Sequence, residues 1–60
     1  MTSTEKEKLL RWIAAMIGRE SDLADSYFKK KSFEASSFHY ARATAFLQCQ
    51  IVVDKELKND

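Results

Sequence analysis

The chain has no proline and a single glycine, at position 18, in 60 residues. Proline and glycine punctuate strands and tight loops, so a sequence almost without them has little choice but long helices. Two helix starts can be read directly. Thr4 followed by Glu7 has the spacing of a capping box, and Ser32 followed by Glu34 places an N-cap hydroxyl ahead of an acid in the first helical turn. Lys29, Lys30 and Lys31 fall where a helix C-terminus attracts cations, and Asp25 can pair with Lys29 one turn earlier. The expected architecture is all-α, one domain over 1–60: a helix over about 4–29, a turn near 29–32 and a helix over about 33–57. Two helices of nearly equal length with a short connection form an antiparallel hairpin. Gly18, with Ser21 and Asp22 after it, could end the first helix at 18–20. The apolar pattern keeps its phase through this point, which favours one continuous helix.

In the first helix Leu9, Ile13, Met16, Leu23 and Tyr27 follow the steps of a heptad seam, widened by Leu10, Ile17, Ala24 and Phe28. Glu20 falls near the centre of that seam, where a carboxylate needs a cation to be tolerated. Trp12 lies beside the stripe.

The second helix carries two apolar stripes. Phe33, Tyr40, Ala43, Leu47 and Ile51, in line with Ser36, Gln50 and Asp54, form the expected partner of the first helix. Phe38, Ala45, Cys49 and Val52, flanked by Ala41, Phe46 and Val53, run on nearly the opposite side. Between Glu34 and Asp54 the only charged residue is Arg42. A helix in a solitary hairpin has one neighbour and one solvated side, and this one lacks the charge a solvated side would carry. Self-association through the second helix is therefore expected, most simply as a homodimer forming a four-helix bundle and otherwise as a higher even oligomer. Phe38, Ala41, Arg42, Ala45, Cys49, Val52 and Val53 are the candidate interface residues.

Ten Lys and Arg against nine Asp and Glu leave a net charge of +1, too little for a general attraction to nucleic acid or anionic lipid. One cysteine cannot form an internal disulfide, so Cys49 reads as a small core residue and the expected setting is cytoplasmic. The apolar run from Trp12 to Ile17 is far short of the roughly 18 residues of a membrane span.

No catalytic constellation is legible. His39 and Cys49 stand ten residues apart on one helix, about 15 Å along its axis at ~1.5 Å per residue. The positions one turn from His39 are Ala35, Ser36, Arg42 and Ala43, which supply neither a metal set nor an orienting acid. No enzyme activity, cofactor or metal is expected. The expected role is that of a small regulatory or accessory protein binding another protein through the first-helix flank of Trp12, Arg11, Met16 and Arg19. One alternative is nucleic-acid binding through Lys29, Lys30 and Lys31 at the hairpin tip. A third reading is a small-ligand pocket between subunits lined by Glu20, His39, Tyr40 and Arg42.

From Leu23 to Ala43 the spacing of Leu23, Ala24, Tyr27, Phe33, Tyr40 and Ala43 resembles one tetratricopeptide repeat, over about a third of the chain. Ser36 stands at the second helix's small-residue position and the closing proline is absent. A lone repeat cannot bury its own apolar faces, so the likeness implies a helical hairpin and carries no function with it.

Overall fold

A computed structural model describes residues 2–57. Two helices, α1 (Ser3–Lys29) and α2 (Phe33–Glu56), pack side by side as an antiparallel hairpin. α1 runs unbroken through Gly18, so the second helix start considered at 18–22 does not form. The N-cap of α1 is Thr2, two residues before the expected Thr4. The Glu5 backbone N–H donates to the Thr2 hydroxyl oxygen at 3.1 Å, and that hydroxyl donates to the Glu5 carboxylate at 3.0 Å. Thr2-Ser3-Thr4-Glu5 offers the same spacing as Thr4 to Glu7, and capping at the earlier site lengthens the helix by two residues.

The turn is built by hydrogen bonds past the end of α1. The N–H of Ser32 donates to the Tyr27 carbonyl and that of Lys31 to the Phe28 carbonyl, at 2.9 and 3.0 Å. This pair of bonds is the Schellman arrangement, and it forces Lys31 into the left-handed region at φ 63°. Ser32 is the N-cap residue of α2 but makes no side-chain capping bond. Phe28 and Phe33 meet edge to face across the turn, with ring centroids 5.4 Å apart. The Ser36 hydroxyl donates to the Ala24 carbonyl at 2.8 Å, and Lys6 Nζ donates to the Asp54 carbonyl at 3.1 Å near the open end. Together they pin the register from tip to open end.

The buried positions are Ile13, Glu20 and Ala24 on α1 with Ala43 and Val53 on α2. Around them Leu9, Met16, Leu23 and Tyr27 of α1 are half-buried, as the heptad spacing of that helix requires. α2 departs from expectation. Its inward seam is His39, Ala43, Phe46, Gln50 and Val53, while Phe33, Tyr40, Leu47 and Ile51 of the expected inner stripe stay exposed. Relative to that stripe the helix is rotated by roughly 75–90°, taking ~100° per residue.

The rotation follows from Glu20. With Tyr40, Leu47 and Ile51 turned inward, the carboxylate would be sealed against apolar atoms with no cation in reach. A buried unpaired charge costs far more than leaving aliphatic side chains in water. Turning His39 inward with Arg42 beside it supplies both partners. The molecule that results is one helix thick, with Cα atoms spanning 47 × 15 × 9 Å.

Candidate functional site

Glu20 is 3% exposed and lies at the middle of the interhelical seam. His39 Nδ1 donates to one carboxylate oxygen at 2.6 Å and Arg42 Nε donates to the other, also at 2.6 Å. Both partners come from one turn of α2, one set inward and the other at the edge. Tyr27 stacks flat on the His39 imidazole with centroids 5.4 Å apart, and Phe38 meets its edge at 5.2 Å. The Arg42 guanidinium also lies over the Phe38 ring, 5.5 Å from its centroid. The Arg42–Phe38 geometry is favourable for a cation against the negative face of an aromatic ring, and the two contacts of His39 are favourable ring–ring arrangements. The hydrogen bonds from Arg42 and then His39 hold the Glu20 carboxyl below its ordinary 4.5, outweighing the opposing effect of burial.

Three of the four residues expected to line a ligand pocket therefore meet: Glu20, His39 and Arg42. The fourth does not. Tyr40 lies on the opposite side of α2, in an open groove with Ser21, Ala24, Phe28 and Ser36. Both oxygens of the carboxylate are engaged by the chain itself, and no polar side-chain atom buried among the described residues lacks a hydrogen-bond partner. The cluster is a closed ion-pair network that fixes the helices in register. Ser36, the hydroxyl nearest His39 in sequence, is committed to the Ala24 carbonyl. Among the described residues no group of three His, Cys, Asp or Glu side chains converges as a metal site would need.

The residues expected to self-associate divide between two places. Phe38, Ala41, Arg42, Ala45, Cys49 and Val52 are exposed, with Arg42, Ala45, Phe46 and Cys49 lining one shallow groove. Val53 is instead buried against α1, so it belongs to the core of the single hairpin. Its heptad relation to Phe46 and Gln50 is the sequence signal for that placement. Trp12 is 55% exposed and meets the edge of the Phe46 ring at 5.8 Å, which puts the Trp12 flank on the Arg42 and Cys49 side. Arg11 and Arg19 are exposed near it and Met16 is half-buried. At the tip, Lys29 pairs with Asp25 at 3.1 Å and Lys30 sits over the Tyr27 ring at 6.0 Å, while Lys31 holds the left-handed turn position. Each lysine has a local structural role.

The sequence reading missed a further surface. Phe28 and Phe33 at the tip, then Tyr40, Leu47 and Ile51 along α2, stand on one side of the hairpin with Leu10 and Ile17 of α1 between the helices. Their spacing is visible in the sequence, where it reads as the contact between helices.

No helix of the described residues is long and apolar enough to cross a membrane. Compared with protein-family models, curated proteins and solved structures, the chain gives no match.

Proposed function

We propose that the chain is a non-enzymatic helical interaction module, a small regulatory or accessory protein that self-associates through α2 and binds a protein partner. The observation that carries this reading is the distribution of exposed apolar surface. Of nine large apolar side chains left exposed among the described residues, six lie on α2: Phe33, Phe38, Tyr40, Leu47, Ile51 and Val52. A helix of that kind beside a single neighbour leaves more apolar surface in water than a stable small monomer carries. Burying it against further helices contributes about 1.5–3 kcal/mol per large side chain, in a chain short enough to need that support.

The Trp12 flank supplies the partner-binding part of the proposal. Trp and Arg dominate the energetic centres of protein interfaces, and Trp12 lies beside Phe46 with Arg11, Met16 and Arg19 around it. Light scattering across low to high micromolar concentration tests self-association. The expected result is a species heavier than the 6.9 kDa chain. A fully helical protein that keeps the monomer mass throughout overturns the proposal.

A further inference from the structure

We infer that a second copy of this chain docks on the side formed by Phe28, Phe33, Tyr40, Leu47 and Ile51, closing two hairpins face to face into a four-helix body. The inference rests on the self-association proposed above and fixes its surface, which differs from the Phe38, Cys49 and Val52 flank that the sequence pattern suggests.

The first argument is architectural. Folded domains enclose a core between at least two layers, whereas this hairpin is a single layer with a Cα extent of 9 Å in its thinnest direction. Among the described residues none of the large side chains is fully buried. A second layer laid across both helices would convert the half-buried Leu10 and Ile17 into core, which a helix packed against α2 alone would not do.

The second argument is area. The five side chains are each between 46% and 68% exposed. With aromatic side chains offering about 150–250 Å² each, they leave on the order of 500 Å² of mainly apolar surface in water. Two copies related by a twofold axis would bury roughly twice that from these residues alone, which reaches the ~1,000 Å² expected of a specific interface.

The third argument is charge. Ser21, Ala43, Thr44, Leu47 and Ile17 surround the middle of this side, and its charges lie towards its ends: Asp25 on the tip side, paired with Lys29, and Asp54 beside Leu10 and Ile51 at the open end. The opposite side carries the Arg42 guanidinium, and Arg19 lies one turn from Met16. Covering that side would strip water from Arg19 and from the half-exposed Arg42 guanidinium, whereas the middle of the Tyr40 and Leu47 side carries no charge and is the less costly one to bury. Its shape is also suited to a copy of itself. Bulky rings at the tip and Leu47 with Ile51 towards the open end flank a groove floored by Ala24 and Ala43, where a facing helix can lie.

The test places a single charge on each side and reads the association midpoint by sedimentation, with helicity followed by circular dichroism. Tyr40→Glu and Leu47→Glu are expected to raise that midpoint by roughly tenfold or more, as a charge forced into an apolar contact does. Cys49→Glu and Val52→Glu are expected to leave the assembly in place. Wild-type mass retained by both Tyr40→Glu and Leu47→Glu overturns the inference while self-association stands. A monomeric wild type overturns both. Should the charged variants lose helicity, hydroxyl-radical footprinting of the wild type at rising concentration decides instead. Protection of Phe28, Phe33 and Tyr40 supports the surface, and protection of Phe38 with Tyr40 still reactive overturns it.

Discussion

Glu20 is the residue on which the geometry turns. Its carboxylate is buried, bonded by Arg42 and His39, and held below its ordinary 4.5. A carboxyl whose native pKa is lowered stabilises the fold fully above its unfolded value and stops doing so as pH falls through the native value. Removing it should therefore matter most in neutral solution. Glu20→Gln keeps the shape, loses the charge, and leaves Arg42 without its counter-ion and His39 with a weaker acceptor. Thermal melts of the wild type and this variant should differ most above about pH 4.5 and converge as the solution is made more acidic. A difference independent of pH would show that the network contributes through shape alone. Lys31 gives a second residue-level test. At φ 63° an L side chain is crowded by its own backbone, and glycine is not. Lys31→Gly should stabilise the hairpin by about 1 kcal/mol, read as a higher denaturant midpoint.

At the scale of the element, α1 was legible and α2 only in part. α1 has one stripe, a run of cations at its end and a seam whose phase survives Gly18, so its C-terminal limit and inward face followed from spacing, while its N-cap fell at Thr2 because Thr2 to Glu5 repeats the spacing of Thr4 to Glu7. A methyl group built on Gly18 meets nothing within 4 Å. Gly18→Ala should accordingly stabilise the chain by about 0.5–1 kcal/mol through helix propensity, measurable in urea unfolding. A loss of stability would mean that the helix bends or another chain approaches there. α2 has apolar residues nearly all round, so periodicity could not choose its inward face. The deciding information was polar. With the turn at Lys30 and Lys31, residues facing one another have numbers summing to about 60, as Lys6 with Asp54 and Ala24 with Ser36 do. That register sets Glu20 opposite His39 to Arg42, and the need to pair a buried charge then rotates the helix. The sequence grouped Glu20, His39 and Arg42 with Tyr40 as a pocket between subunits, whereas the structure joins the first three within one hairpin. Tyr40 was grouped with them because it is adjacent in sequence, although adjacent helical residues point about 100° apart.

At the scale of the whole molecule, a single helical layer has two broad sides and no interior beyond one seam. Stability contributed by a partner copy depends on concentration by mass action, because binding favours only the folded form. The melting midpoint of the wild type should rise as protein concentration is raised through the association range. The same scan on Leu47→Glu should be flatter. A midpoint that never moves would place all the stability within one chain.

The sequence by itself determined that the chain is helical, where it turns, which face of α1 looks inward and that a carboxylate stands in that face. Those properties rest on local chemistry: missing proline, capping hydroxyls, dipole-matched charges and a single periodic stripe. Only the tertiary structure decided how α2 is rotated, and with it which apolar side chains remain in water. The physical reason is that a helix apolar on several sides has near-equal packing choices, and the one strong preference among them belongs to an ion pair between residues 19 and 22 positions apart.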